Sequence, residues 1–188
     1  MNVFICPGIH STELTRSFLE GWESLLSANL NLNISENLRI FPAESYKNLS
    51  AFHILRFLQE CYGKPQTALP LVCISFSAGN VGTIGAAWGW QMLGGRVQAV
   101  IAIDGWGVPL VGNFPIHLLS HDRLTHDTSL SLHQNESFYA DPAVEHLEMW
   151  RSPAQVTGWV VNGEAKMRSR YLSAAEFIHR LLKRYQEI

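Results

Sequence analysis

No basic block occurs in the 188-residue chain: its 14 lysines and arginines are scattered among 16 acidic residues, and the net charge is −2. A one-sided positive field, on which binding to nucleic acid or to an anionic membrane relies, is therefore excluded. No apolar run approaches the ~18 residues of a membrane span. The opening MNVFICPGIH lacks the basic start, apolar stretch and small-residue cleavage site of a secretory leader. The expectation is a soluble, cytoplasmic protein with neither nucleic-acid nor membrane partners. Cysteine is scarce and odd in number, at 3, and Cys6 and Cys73 sit inside apolar runs, where a thiol behaves as a small hydrophobe. Neither a disulfide framework nor a zinc-type spacing is present. Internal repeats, low-complexity tracts and Pro- or Ser-rich linkers are missing too, so the whole of 1–188 reads as one domain, with a homodimer left open.

What is there is apolar material, 47% hydrophobic against 16% charged residues, enough for one substantial core. It is arranged as short apolar runs alternating with stretches of helical period. Residues 3–6 read as a strand stopped by Pro7-Gly8; Ser11 or Thr12 caps a helix with Leu14, Phe18, Trp22 and Leu25 on one side. Residues 38–41 read as a second strand, followed by a helix capped near Asn48 or Ser50, with Phe52, Leu55, Leu58 and Tyr62 in register and Gly63 at its end. The pattern recurs with a strand at 69–76, a helix at 78–93 and a strand at 97–103. Short strands follow at 115–120 and 137–140, separated by the polar stretch 123–135, and a helix at 172–185 closes the chain. Strands apolar on both sides are expected where helices cover both faces of a parallel sheet, so the fold class is α/β: a three-layer sandwich with a mostly parallel sheet of about six strands.

The stretch LVCISFSAGNVGTIGAA, residues 71–87, runs up a strand to Ser77 and turns into a glycine-studded helix. Ligands of open parallel sheets bind beyond the carboxyl ends of the strands. A sharp strand-to-helix turn at Ser77 exposes its hydroxyl and needs small residues two before and two after it, as Ser75 and Gly79 are. The helix N-terminus then faces any developing oxyanion, with the Ala78 amide as the first donor. Gly79, Gly82, Gly85 and Gly89 form a smooth stripe, predicted to let helix and sheet approach closely.

Ser75-Phe76-Ser77-Ala78-Gly79, between a strand and a helix, resembles the GxSxG nucleophile elbow of α/β-hydrolases, with serine in place of the first glycine. The resemblance implies a minimal α/β-hydrolase fold and a serine hydrolase acting on an ester or related acyl bond of a small substrate, with no cofactor. It implies Ser77 as nucleophile, then an acid, then a histidine further along the chain. Asp122 follows the strand at 115–120, where the family usually keeps its acid, and is the first choice; Asp104, at the end of the strand at 97–103, is the alternative. Of the eight histidines, His146 follows the last strand and precedes a helical pattern, and is taken as the base; His126 and His133 read as solvated loop residues, His53 and His179 as helical. The loop after the first strand looks like the oxyanion loop of the family, the amide of Ile9 or His10 supplying the second donor.

Between the strands at 97–103 and 115–120 there is no room for a helical lid, so the site is expected to be shallow, with Trp106 and Val108 as an apolar wall. His117 and His121 lie four apart, but Leu118 occupies the glutamate position of a helical zinc motif and the segment reads as a strand, so no metal is expected. Two other readings compete: a noncatalytic binding protein on the same fold, and a flavodoxin-like domain holding a phosphate at Ser75, Ser77 and Gly79. The second lacks a fuller glycine-rich phosphate loop.

Overall fold

A computed structural model describes residues 1–29, 34–42, 46–129, 135–163 and 167–187. The elements run β1 (Asn2–Cys6), α1 (Thr12–Asn29), α2 (Ile34–Asn37), β2 (Leu38–Ile40), a 3-10 turn (Tyr46–Leu49), α3 (Ala51–Tyr62), β3 (Leu71–Phe76), α4 (Gly79–Met92) and β4 (Val97–Ile103). They continue with β5 (Ile116–Ser120), α5 (Arg123–Thr128), β6 (Ser137–Ala140), α6 (Glu148–Arg151), β7 (Thr157–Asn162), β8 (Met167–Ser173) and α7 (Ala174–Gln186).

One sheet of order β2-β1-β3-β4-β5-β6-β7-β8 contains every described strand. From β2 to β6 the pairing is parallel; β7 and β8 are antiparallel additions. The class is therefore α/β with a mixed, mostly parallel sheet of eight strands, against the expected six. β8 escaped the sequence reading because an edge strand needs no buried face: Met167, Arg168, Ser169, Arg170 and Tyr171 are all exposed. It occupies 167–173, so the closing helix begins at Ala174 rather than 172. β7 carries Gly158, packed so tightly that a Cβ there would lie 2.0 Å from the Tyr139 carbonyl oxygen, and glycine breaks the apolar alternation by which a strand is recognised.

Successive residues of the central strands feed two cores. Val3, Ile5, Val72, Ile74, Ile101 and Ile103 pack against Phe18 and Trp22 of α1 and Phe177, Ile178 and Leu181 of α7. Phe4, Cys6, Cys73, Val100 and Ala102 meet Ile54 and Leu58 of α3 and Ala86, Ala87 and Trp90 of α4. On α3, Phe52 faces solvent, while Ile54 and Leu58 face the core. The Leu25 side chain lies outside the described residues. α3 is fixed by Ser50, whose hydroxyl accepts the His53 amide proton, and by Gly63 at φ 79. α7 starts with a full capping box of Ser173 and Glu176.

The glycine stripe of α4 packs chiefly on α3 and the 3-10 turn, not on the sheet. A Cβ on Gly82 would lie 2.3 Å from the Asn48 carbonyl oxygen, and one on Gly89 2.8 Å from Leu55 Cδ2. Gly79 alone meets the end of β1, where a Cβ would sit 2.5 Å from the Pro7 carbonyl oxygen. Among the described residues no helix is long and apolar enough to cross a membrane.

Candidate active site

The order in which strands are added to the sheet reverses at β1: β2 lies on one side of it and β3 on the other. That is the switch point where the loops beyond the strand ends part and leave a crevice. Ser77, one residue past β3, stands there with φ 51; one strand over, one residue past β4, Asp104 has φ 48. These are the two non-glycine residues with positive φ among the described residues, and such strain persists only where surrounding contacts hold it. The Ser77 amide donates to the Ile103 carbonyl at 2.9 Å, and the Asp104 amide to that of Leu119 at 2.8 Å.

Asn80 clamps the turn. Its Nδ2 donates to the carbonyls of Ser77 and Ile103, both at 2.9 Å, and its Oδ1 accepts the Ser75 hydroxyl proton at 2.6 Å. The serine standing at the first glycine position of the elbow is thereby a bonded part of the turn, fully buried. The post-β1 loop presses on the same corner: a Cβ on Gly8 would be 3.1 Å from Ser77 Cβ. Among the described residues, the amides of Ala78, Ile9 and His10 donate to no protein acceptor.

His146 arrives from the loop between β6 and α6. The Val144 amide donates to the His121 carbonyl at 3.0 Å, tying that loop back to the end of β5. The His146 ring stacks on buried Phe76 at 4.8 Å, and Phe76 stacks in turn on Trp150 at 5.0 Å. Nε2 of His146 lies 3.0 Å from Ser77 Oγ, and Nδ1 lies 2.8 Å from Asp104 Oδ2. A carboxylate oxygen can only accept, so in the neutral ring Nδ1 carries the proton and Nε2 presents its lone pair to the serine hydroxyl.

The structure thus places the alternative acid, Asp104, on His146. Its side chain is fully buried. Asp122, the first choice from sequence, caps α5 instead: Oδ1 accepts the Thr125 amide proton at 2.6 Å. Its slight burial pushes the carboxyl pKa up, but the bonds from Thr125 and the nearby His121 outweigh this and hold it below the usual value.

Asp104 has a second imidazole partner that sequence reasoning did not assign. The His121 amide donates to Oδ1 at 2.8 Å and His121 Nδ1 to Oδ2 at 3.0 Å. His121 Nε2 in turn lies 3.5 Å from Asp122 Oδ2. His121 could have been marked by its place, directly after a parallel strand next to β4. His117, its supposed metal partner, is elsewhere: it is buried, donating to the Glu136 carbonyl and accepting from the Tyr185 hydroxyl.

The remaining candidates disperse. His10 donates from Nδ1 to the Ser11 carbonyl and packs its ring near Phe76 and Trp150; burial lowers its pKa, and nearby His146 adds to the effect. His126 lies on α5, against Ser137, rather than in a solvated loop, and His133 is outside the described residues. Cys6, at the foot of the post-β1 loop, is no nucleophile: burial pushes its thiol pKa up to about 12.

An open cleft of about 960 Å³ surrounds Ser77, Asp104, His121 and His146. Leu49, Val81, Trp106, Val108 and Leu124 form its apolar walls. Trp106 and Leu124 are 68% and 72% exposed, so large apolar surfaces face water beside the serine. Among the described residues no lysine or arginine lines the cleft. Residues 104–115 link β4 to β5 without a helix. No protein-family model matches the chain, and no curated protein shows significant similarity to it.

Proposed function

We propose that the chain is a small serine hydrolase without a lid, built on a minimal α/β-hydrolase fold, which cleaves an ester or related acyl bond of a small neutral substrate and needs no cofactor. The observation that carries this reading is the unbroken hydrogen-bonded line from Ser77 Oγ through His146 to the buried Asp104 carboxylate, at 3.0 and 2.8 Å. These distances are those required between nucleophile, base and orienting acid.

In the reaction Ser77 Oγ attacks the substrate carbonyl carbon while its proton passes to His146 Nε2. The carbonyl oxygen becomes an oxyanion held by the Ala78 amide and by that of Ile9 or His10. Asp104 stabilises the imidazolium. The proton then moves from Nε2 to the leaving oxygen or nitrogen as its bond to carbon breaks, giving an acyl-enzyme that water opens by the same steps in reverse. The apolar walls, with no lysine or arginine among the described lining residues, favour an uncharged acyl group over a carboxylate- or phosphate-bearing one.

A fluorophosphonate probe tests the reading. Labelling is expected at Ser77, to vanish in Ser77→Ala, and to slow about 10³-fold or more in His146→Ala and in Asp104→Asn. Absence of labelling in the wild-type chain would return the cleft to a noncatalytic binding role.

A further inference from the structure

We propose that Asp104, His121 and His146 form a site for one divalent transition-metal ion, and that its occupation switches off the base. The switching half rests on the hydrolase reading; the binding half does not. The three side chains converge: the Nδ1 atoms of both rings lie 2.8 and 3.0 Å from the same Asp104 oxygen, and a ligand atom from each residue falls within 4.8 Å of the others. Metal–ligand bonds of about 2.0–2.2 Å set neighbouring donors roughly 3 Å apart, so little movement is needed to seat an ion among them. Two imidazole nitrogens and one carboxylate suit zinc, cobalt or nickel and not the oxygen-seeking calcium or magnesium. The open cleft leaves room for water on the remaining positions.

Asp122 supplies the independent sign. His121 Nε2 lies 3.5 Å from Asp122 Oδ2, so a carboxylate already faces the second nitrogen of the ring whose Nδ1 meets Asp104. A metal at Nδ1 moves the proton to Nε2, which then donates to Asp122 and completes the carboxylate–histidine–metal arrangement that orients imidazole ligands. The same tautomer change at His146 has the opposite consequence for chemistry. Its proton moves from Nδ1 to Nε2, the atom that must accept the Ser77 proton, and no lone pair faces the hydroxyl. No proton is gained or lost by either ring, yet the base is gone.

Titrating the purified chain with Co²⁺, read by d–d absorption, and with Zn²⁺, read by calorimetry, tests the site. One ion per chain is expected, with affinity weakened at least about tenfold in His121→Ala and in His146→Ala and unchanged in Ser77→Ala; Ca²⁺ and Mg²⁺ do not compete. Zn²⁺ is expected to slow fluorophosphonate labelling of the wild type at least about tenfold, with full recovery on chelation. No binding, or binding that survives both histidine variants, overturns the site while labelling at Ser77 upholds the hydrolase reading. Binding with the stated losses in a chain that the probe never labels keeps the site and removes the hydrolase reading. Binding with the stated losses but undiminished labelling overturns the switch.

Discussion

Ser77 and Asp104 share a backbone anomaly, a positive φ directly after adjacent parallel strands, and His146 bridges the two side chains. Ser77 and His146 were readable in the sequence, because a strand-to-helix turn flanked by small residues and a histidine following the last parallel strand are both marks of position. The carboxylate that meets His146 was not, since Asp104 and Asp122 both follow strand ends and only lateral order separates them. β4 lies next to β3, and β5 one strand further out. The His146 loop reaches back across β5 and meets Asp104 on the way to Ser77. The two aspartates therefore separate by experiment. Asp122→Ala should cost about 1 kcal/mol of stability through loss of the α5 cap, read as a lower urea midpoint, and leave fluorophosphonate labelling within a few-fold of wild type. Equal loss of labelling in Asp122→Ala and Asp104→Asn would place the acid function on both carboxylates.

At the scale of elements, what matters is how the turn between β3 and α4 is pinned. Asn80 binds both strand-end carbonyls, and the glycine face of α4 lets the 3-10 turn and α3 approach within backbone contact. The stripe itself was plain in the sequence; its partner was not, because a glycine row reports that something comes close without saying what. Gly82 is the sharpest case. Alanine there would gain about 1 kcal/mol in helix propensity, but its Cβ would stand 2.3 Å from the Asn48 carbonyl oxygen, and a backbone carbonyl cannot rotate away as a side chain can. Overpacking of this kind typically costs about 1–3 kcal/mol, so Gly82→Ala should destabilise on balance, by about 1 kcal/mol or more in urea unfolding. A midpoint above that of the wild type would show that the turn and α3 yield freely. Strand β7 and the edge strand β8 were hidden for a related reason: glycine at 158 in the one and an exposed, arginine-bearing face in the other remove the apolar alternation on which a strand is recognised.

For the molecule as a whole, pH is the variable that reads out a histidine buried in the core. His117 lies under the sheet with Phe177 and Tyr185 against its ring, donating to the Glu136 carbonyl and accepting from Tyr185. Burial lowers its pKa from 6.5 to about 4; the Glu136 carbonyl bond opposes the shift and Arg184 adds to it. The unfolded chain therefore binds a proton at His117 that the folded chain refuses throughout that interval. The stabilisation is complete above pH 6.5 and is lost as pH falls toward 4, for a total of about 3 kcal/mol. His10 and His179, also lowered chiefly by burial, add to the same slope. Asp122, Asp127 and Glu136 are held below their ordinary values of 3.8 and 4.5, so their share of acid sensitivity comes only at lower pH. Between pH 6.5 and 4.5 the proton that His117 takes up only on unfolding therefore lowers the unfolding free energy. Urea unfolding across that window should show stability dropping in the wild type and a much flatter profile in His117→Leu, which starts lower at pH 7 because Tyr185 loses its acceptor. A variant profile parallel to that of the wild type would move the acid sensitivity away from this buried ring.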